Sequence, residues 1–249
     1  MNIIVCIKRT PDTETRIRVA GDGVSVDSSG VKYIVSPYDE FALEGALRSR
    51  EAAGQGEVVA LSFGDKSVAE QLRSALAMGA DRAVLLEGEA SMDGLATAQV
   101  LAAELETHDA PLILFGVKAA DDDQQQVGPM TATLLGRPCV TAVSTFEVSG
   151  DKVTCQREVE GGHEVVEVSL PAVLTVTKGP HEPRYASLKG IMAAKKKPLE
   201  EKPAASKAPQ LRVEAIELPA ERPDGRIVGE GPEAAAELVR LLREEAKVL

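Results

Sequence analysis

Aromatic and basic residues are both scarce in this chain of 249 residues. It has no tryptophan, and aromatic residues make up 3% of it, whereas hydrophobic residues reach 44%. A folded core must therefore be packed mainly from aliphatic side chains, at a hydrophobic content that is ordinary for a globular protein. Lysine and arginine number 28 against 39 aspartates and glutamates, which gives a net charge of −11. This balance argues against nonspecific nucleic-acid binding, which requires a broad basic surface.

Cysteine and histidine occur three times each, and neither shows the spacing of a metal site. Cys6, Cys139 and Cys155 are widely separated and form no CxxC pair, which favours free thiols in a reducing compartment. The sequence also lacks a Ser/His/Asp grouping, a Cys near a His, and a carboxylate pair at helical spacing in a cleft-like context. These absences favour a binding or carrier protein over a hydrolase.

Long hydrophobic runs are missing as well. None approaches the ~18 residues that a helix needs to cross a bilayer. Residues 1–6 are apolar, but Lys8 and Arg9 follow almost at once, so this stretch is too short for the core of a signal peptide. We expect a soluble, cytoplasmic protein without direct membrane insertion, and we expect residues 2–7 to form the first strand.

Short apolar runs then alternate with helical patterns. Ser36 and Pro37 suit the start of a helix that ends at Gly54, and Ser67 with Glu70 forms a capping box for the next helix. The predicted strands are residues 2–7, 57–63, 82–86 and 112–116, and the predicted helices are 37–53, 68–78, 94–107 and 127–135. This alternation is typical of an α/β fold, in which helices flank a parallel sheet on both faces.

Two stretches interrupt this alternation. Residues 16–35 hold short alternating runs between Gly- and Ser-rich turns and predict a β-excursion after the first strand. Further on, turns at Gly150 and Gly161 separate strand-like runs, which favours hairpin strands that continue the sheet. These later runs are residues 140–148, 152–159, 165–170 and 172–177.

The composition changes after residue 194, and we place a boundary there. Residues 1–194 are predicted to form the α/β domain, with a recognition loop near 182–194, and residues 195–249 a linker and C-terminal arm. Residues 195–209 are rich in Lys, Pro and Ala and predict an extended linker. Residues 211–218 predict one more strand or extended segment, and 232–248 a terminal helix that must pack on the domain or on another subunit.

The loop of residues 116–128 follows a predicted strand and precedes a predicted helix. Ligands of open α/β sheets bind at the carboxyl ends of strands, and helix N-termini present N–H groups to phosphate. Gly116 would let a ligand approach the backbone. The sequence is no Walker or Rossmann motif, and three aspartates, at 121–123, would repel a phosphate that they faced. A nucleotide site and a solvated acidic turn are therefore both open, with the aspartates capping the helix or binding sugar hydroxyls.

Residues 181–197 combine an apolar helical pattern with a basic end. Leu188, Ile191 and Met192 follow Arg184 and Tyr185, and three lysines close the segment. An exposed docking element with an apolar anchor would have this composition. Apolar residues at helical spacing more often face a core, so the pattern alone favours a short core helix with a solvated basic end.

Five motifs, taken together and in order, resemble the beta subunits of electron-transfer flavoproteins over nearly the whole chain. They are Val5-Cys-Ile-Lys-Arg9, Ser36-Pro-Tyr-Asp39, Ala75-Leu-Ala-Met-Gly-Ala-Asp-Arg82, Asp121-Asp-Asp-Gln-Gln-Gln126, and Glu182-Pro-Arg-Tyr-Ala-Ser-Leu188 with Ile191-Met192 and three lysines at 195–197. The resemblance implies a Rossmann-like, adenine-nucleotide-binding fold with added hairpin strands and a C-terminal arm.

The resemblance also implies a heterodimeric electron carrier without catalytic turnover of its own. An alpha subunit would hold most of the FAD, and this subunit would hold a structural AMP. Electrons would pass from flavoprotein dehydrogenases, such as the acyl-CoA dehydrogenases of fatty acid oxidation, to a quinone oxidoreductase or similar acceptor. The arm would reach around the alpha subunit.

Site residues follow from the same resemblance, position by position. The implied cofactor-binding residues are Cys6, Ser36, Pro37, Tyr38, Asp39, Phe63, Gly116, Asp121, Asp122, Asp123, Gln124, Gln125, Gln126 and Val127. The implied partner-binding residues are Glu158, Arg184, Tyr185, Leu188, Ile191 and Met192. Among them Tyr38 would lie near the flavin, where its ring could pack on the isoalloxazine, and Leu188 would anchor the recognition loop in a dehydrogenase pocket.

Two details depart from the AMP-binding pattern. Gln125 stands where AMP-binding members carry Asn, and Val127-Gly-Pro is closer to electron-bifurcating members, which hold a second FAD. The segment from Glu182 to Leu188 favours the AMP group, so we expect AMP. The alternatives are the bifurcating type, a stand-alone adenine-nucleotide-binding module, and a nucleotide-dependent hydrolase or ligase, because fold alone does not settle function.

Overall fold

Runs of Val, Ile, Leu and Ala form the strands at the centre of the sheet. The computed structural model describes residues 1–89, 93–205, 208–221 and 224–249. The strands are β1 (Ile3–Cys6), β2 (Arg9–Pro11), β3 (Tyr33–Val35), β4 (Val58–Gly64), β5 (Arg82–Glu87), β6 (Leu112–Gly116), β7 (Cys139–Ser149), β8 (Lys152–Val159), β9 (Gly162–Ser169), β10 (Ala172–Val176) and β11 (Leu199–Pro203). The helices are α1 (Pro37–Ala53), α2 (Ala69–Met78), α3 (Gly94–Leu105), α4 (Val127–Leu134), α5 (Leu188–Ala194) and α6 (Ala234–Glu244).

The main sheet has a parallel core and an antiparallel edge. Across the described residues, nine strands form it in the order β11-β5-β4-β1-β6-β10-β7-β8-β9. The strands from β11 to β7 pair in parallel. At the edge, β8 pairs antiparallel with β7, and β9 pairs antiparallel with β8. The predicted α/β fold with added hairpin strands is confirmed. β10 is no hairpin partner, however, because it returns to lie between β6 and β7, parallel to both.

The alternation of side chains along β1 divides the helices between two faces. Ile3 and Val5 pack with residues of α1 and α2, and Ala194 of α5 joins the same cluster. Ile4 and Cys6 point to the opposite face and pack with residues of α3 and α4. Helices therefore cover both faces of the parallel core, and loops at the carboxyl ends of the strands are left to form a site.

Two local predictions are corrected by the structure. Asp65 accepts a hydrogen bond from the Ser67 N–H and caps a single 3₁₀ turn at Lys66–Val68, and the Ser67 hydroxyl also donates to Asp65. The predicted capping box with Glu70 is wrong because Ser67 is already engaged, and α2 begins at Ala69. The predicted excursion at 16–35 is reduced to β3, which pairs with β2, and one bridge between Val19 and Val26.

The predicted linker at 195–209 contains β11, which pairs in parallel with β5 at the sheet edge. Lys202 Nζ also lies 2.6 Å from Glu104 Oε1 of α3. Edge strands with charged side chains lack the apolar pattern that identifies buried strands, which explains the error. Residues 211–218 form no strand in the described chain. Residues 206, 207, 222 and 223 of the predicted linker and arm lie outside the described residues.

The chain divides into two units, Met1–Ala215 and Ile216–Leu249. The division falls after the expected boundary because β11 belongs to the first unit. Within the second unit, α6 carries an exposed apolar pair, Leu238 and Val239. On its polar side, Arg240 binds both Glu237 and Glu244 at 2.7 Å. In the part of the chain that the structure describes, no helix has the length and hydropathy of a bilayer span.

Candidate functional site

A cleft of about 230 Å³ opens at the carboxyl ends of the central strands. From β1 the chain builds β4 and β5 on one side of the sheet, then returns through α3 to β6 on the other side of β1. The strand order therefore reverses between β1 and β6. This reversal is the position at which open α/β sheets bind ligands, and Cys6 and Gly116, the last residues of these two strands, both line the cleft.

The cleft has apolar walls and a polar rim. Of the residues expected at a cofactor site, those that line it are Cys6, Asp39, Phe63, Gly116, Asp122, Gln124, Gln125, Gln126 and Val127. The side chains of Leu101 and Phe115 add apolar surface. The structure also brings in residues that the sequence reasoning did not single out, namely Lys8, Arg9, Asp65, Thr97 and Lys118. All but Thr97 closely follow the end of β1, β4 or β6, so the strand-end rule applied to every strand would have found them.

Asp39 joins the ends of β1 and β6 to the first turn of α1. It is 6% exposed, and its carboxylate accepts hydrogen bonds from the N–H groups of Lys8 at 2.7 Å and Gly116 at 2.8 Å. Burial raises the pKa of Asp39 to about 7, although these two hydrogen bonds oppose the shift. Burial and the nearby Asp39 carboxylate also raise the pKa of Cys6 well above its usual range, which keeps it a thiol.

Gly116 is needed for packing. A Cβ on this residue would lie 2.8 Å from both the Asp39 backbone nitrogen and the Tyr38 carbonyl carbon, and closer still to the Asp39 carboxylate. Close approach of α1 to the end of β6 therefore requires glycine here, in addition to the expected approach of a ligand to its backbone, which stays a prediction. A side chain at 116 would displace α1 and disturb folding as well as the cleft.

The three aspartates of the loop are paired with lysines. Lys8 Nζ binds Asp121 at 2.8 Å and Asp122 at 2.7 Å, and Lys118 Nζ binds Asp123 at 2.6 Å. Burial lowers the pKa of Lys8, but the hydrogen bonds to the two aspartates outweigh it, so its pKa lies above the usual value. The objection that these aspartates would repel phosphate is weakened, since two lysines bind the three carboxylates and leave one net negative charge in the group.

The backbone of the same loop presents N–H groups to the cleft. Asp123 and Gln125 adopt left-handed conformations, with φ of 50° and 56°, which are costly without glycine and concentrate at ligand sites. Within the described chain, α4 begins after Gln126 without a side-chain cap. Pro129 has no N–H and the Met130 N–H donates to Gln126, so the N–H groups of Val127 and Gly128 are the ones suited to bind an anion. Gln126, Val127 and Gly128 line the cleft at this point.

Other residues of the expected cofactor set lie around the cleft. Ser36 precedes α1, and Pro37 and Tyr38 begin it, beside Asp39 but outside the cleft lining. Tyr38 is half-buried, and Lys118 Nζ lies 5.9 Å from the centroid of its ring. Asp121 and Asp123 hold the loop through their lysines. No trio of His, Cys, Asp or Glu side chains that could bind a metal occurs in the described ranges.

Residues 182–194, here called the exposed segment, turn their apolar side chains outward. Tyr185 is 98% exposed, Leu188 84%, Met192 64% and Ile191 44%. Ser187 caps α5 by accepting a hydrogen bond from the Gly190 N–H, and Ala194 is buried beneath the helix. The interpretation as a core helix, which base rates favoured, is wrong because tight packing of Gly190 on α2 turns the larger side chains to solvent.

Glu158 and Arg184, the two charged residues of the expected partner-binding set, differ in where their side chains lie. Glu158 is exposed on β8, opposite His163 of β9. The guanidinium of Arg184 instead hydrogen-bonds to Glu44 and Glu51 of α1. The large apolar and aromatic side chains of the exposed segment therefore face outward, beside the exposed Glu182 and Lys189, while its arginine is directed toward α1.

Comparison with known proteins supports one family. A family model described as the electron transfer flavoprotein domain matches residues 23–207. The chain is 41% identical over 249 residues to the electron transfer flavoprotein subunit beta of Bradyrhizobium diazoefficiens, and both chains are covered completely. The Bacillus subtilis protein of that name is 40% identical over 260 residues, with full coverage of both. The human one is 38% identical over 252 residues, with 100% of this chain and 99% of the other covered. Full-length similarity at this level, together with the cleft, shows that the chain belongs to the electron transfer flavoprotein beta-subunit family.

Proposed function

We propose that the chain pairs with an alpha subunit, binds a structural AMP in the cleft, and carries electrons from flavoprotein dehydrogenases to a quinone oxidoreductase or similar acceptor. Its relatives are named as beta subunits, which implies a partner subunit. The observation that carries the proposal is the cleft between β1 and β6, where an acidic loop bound by two lysines meets a helix start without a side-chain cap.

The residues of the cleft suit an adenine mononucleotide. The N–H groups at the start of α4 would bind the phosphate, and the cations of Lys8 and Arg9 lie on the same rim. The side chains of Phe63 and Leu101 offer apolar surface to a base. AMP in this position would stabilise the fold by bridging the ends of the central strands.

FAD would be held mainly by the alpha subunit, because no GxGxxG fingerprint follows a strand of this chain. The bound flavin supplies the redox chemistry. Tyr38 would pack against the isoalloxazine from the start of α1, and Glu158 would face the flavin-binding subunit from β8. Residues 216–249 would form the arm that contacts that subunit, using the exposed side chains of Leu238 and Val239.

The alternative is an electron-bifurcating type with a second FAD in the cleft, and the Val127-Gly-Pro spelling favours it. A packing requirement explains this glycine equally well. A Cβ at Gly128 would lie 2.6 Å from Thr175 Cγ2 of β10, so glycine lets α4 approach the sheet. The Val127-Gly-Pro motif is therefore weak support for a second flavin, and AMP is the better proposal.

The exposed segment would dock the dehydrogenases. An apolar side chain at the centre of an interface contributes most when it fills a pocket, and Leu188 and Tyr185 stand clear of their own chain. Leu188 would be the anchor, with Ile191 and Met192 completing the apolar surface. Acyl-CoA dehydrogenases are the expected donors.

Co-expression with an alpha-type subunit tests the assignment. The purified complex is denatured with acid, and every released nucleotide is identified and counted. We expect one FAD and one AMP per heterodimer, and no stoichiometric flavin on this chain alone. Two FAD molecules per heterodimer would establish the bifurcating type. A colourless monomer that retains a nucleotide would establish a stand-alone binding module and contradict the electron-carrier proposal.

A further inference from the structure

The exposed segment presents apolar side chains to solvent, yet it is fastened to the domain at both ends. Apolar residues on a free loop would collapse onto the nearest surface, since burial of such side chains is favourable. Here Tyr185 and Leu188 stay outward. The contacts that hold the segment must therefore resist this collapse.

Arg184 makes the first of these contacts. Its Nε and Nη2 donate to Glu44 at 2.7 and 3.1 Å, and its Nη1 and Nη2 donate to Glu51 at 2.6 and 3.1 Å. The Arg184 backbone N–H also donates to Glu44 at 3.2 Å. Both carboxylates belong to α1 and lie two helical turns apart, so the planar guanidinium is bound on two edges.

The far end of the segment is fastened to α2. Arg73 Nη1 donates to the carbonyl oxygens of Ala194 and Lys197, both at 2.8 Å. Lys197 Nζ donates in return to the carbonyl oxygens of Leu76 and Ala80, at 3.0 and 2.6 Å. Arg73 of α2 thus holds the carboxyl end of α5, and Lys197, which follows α5, holds the carboxyl end of α2. Lys197 is therefore not part of the solvated basic end that the sequence predicted.

We propose that Arg184 is a positioning residue for docking: its bonds to Glu44 and Glu51 set Tyr185 and Leu188 in their outward orientation before a dehydrogenase arrives. This inference rests on the proposed docking role of the exposed segment. A segment ordered in advance loses less conformational freedom on association, which strengthens binding without a new contact. Lysine could not replace arginine here, because an ammonium cannot bind two carboxylates with a planar fork.

The test uses the heterodimer, with acyl-CoA dehydrogenase reduced by octanoyl-CoA as the electron donor. Arg184→Lys and Glu51→Gln should each raise KM for the dehydrogenase about threefold to tenfold, with kcat and flavin content little changed. Glu51→Gln separates positioning from direct contact. If Arg184 touched the dehydrogenase itself, releasing it from Glu51 would leave KM unchanged or lower it, and that result would overturn the proposal.

Coupling to the anchor gives a second readout. Because Arg184 acts largely through Leu188, the loss of transfer in the double variant Arg184→Lys/Leu188→Ala should be smaller than the sum of the two single losses, expressed as free energies. Fully additive losses would contradict positioning. Arg82→Gln is the matched control, since Arg82 of β5 also binds a carboxylate, that of Glu57 at 2.6 Å, and its loss should lower stability without raising KM. If Leu188→Ala alone leaves transfer intact, the docking role fails, and the inference fails with it.

Discussion

The cleft and the exposed segment use charged side chains in opposite ways. In the cleft, loop residues provide the charges, and Lys8 and Lys118 bind three aspartates beside the uncapped start of α4. In the exposed segment, Arg184 binds carboxylates of α1, and large apolar side chains are left facing solvent. Available donors suit a small anion, whereas an uncovered apolar surface suits a protein partner. The cleft and the exposed segment are therefore two chemically different surfaces within one domain.

The two regions also differ in the sign of their pH dependence. Burial raises the pKa of Asp39 at the cleft. Burial would raise the pKa of Glu44 too, but hydrogen bonds from Arg184 outweigh it and lower that pKa, and Arg184 lowers the pKa of Glu51 as well. A raised acid pKa stabilises the protonated form, so its contribution is lost as pH rises. The lowered glutamate values give a contribution present above their ordinary pKa and lost as pH falls.

The largest expected effect is the pH dependence from Asp39. Its contribution should be complete below its ordinary pKa of 3.8 and lost as pH rises through about 7. The free energy of unfolding of the wild type relative to Asp39→Asn should fall by on the order of 3–4 kcal/mol over this range. Urea denaturation of both proteins at a series of pH values measures the difference. A difference that does not change with pH would show that Asp39 ionises normally in the fold.

A slightly smaller effect is expected from nucleotide binding. AMP should stabilise the isolated chain by about 2.7 kcal/mol at a concentration about 100-fold above its Kd. Thr97→Phe should abolish this gain, because it fills the cleft from the first turn of α3 without entering the core. Thr107→Phe, beyond the other end of α3, is the control and should keep the gain. If millimolar AMP leaves wild-type melting unmoved and no nucleotide co-purifies, the loop at 116–128 is an acidic turn.

A substitution in the exposed segment should lower the rate of electron transfer and leave the stability of the fold unchanged. Leu188→Ala removes an anchor worth ~2 kcal/mol or more at an interface centre, so electron transfer from acyl-CoA dehydrogenase should weaken about tenfold or more. Its melting temperature should hold, because Leu188 is largely exposed. Leu72→Ala in the core should do the reverse, losing ~2–5 kcal/mol of stability. A destabilised Leu188→Ala protein whose folded fraction transfers normally would place this residue in the core.

The smallest effect is expected at Lys8. Lys8→Gln removes two partly exposed ion pairs and should cost about 1 kcal/mol of stability or less. AMP affinity should nevertheless fall several-fold, since Asp121 and Asp122 would lose their cation near the phosphate. Lys152→Gln, which breaks an exposed pair with Glu167 on the hairpin of β8 and β9, is the control. Equal AMP affinity in the two variants, measured by calorimetry, would show that Lys8 does not shield the cleft.

Local signals predicted the regular elements well. Pro37 and Gly54 lie at the two ends of α1 as expected, and the aliphatic run of β6 has its predicted bounds. Errors arose where the stabilising partner is remote or competes locally. β11 exists because the edge of β5 accepts it, and α2 starts late because Asp65 engages Ser67.

The candidate site was predicted in part. The resemblance and the strand-end rule identified Cys6, Asp39 and the loop after β6, all of which the fold brings to the cleft. Lys8 was overlooked because its partners lie more than a hundred residues away, and only the pairing of β1 with β6 brings them together. The role of Gly116 was assigned to a ligand because α1 cannot be placed against β6 from sequence.

The sequence by itself determined the aliphatic core, the alternation of strands and helices, and the family, because these follow from local patterns and from motifs read in order. The tertiary structure decided which charges meet and which apolar side chains face solvent. Arg184 can pair with Glu44 and Glu51 only because the chain that follows β10 runs alongside α1. The same helical pattern in α5 could have faced a core, and the contact of Gly190 with Ala77 turns it outward. Burial depends on the whole arrangement of packed elements, which no local pattern contains.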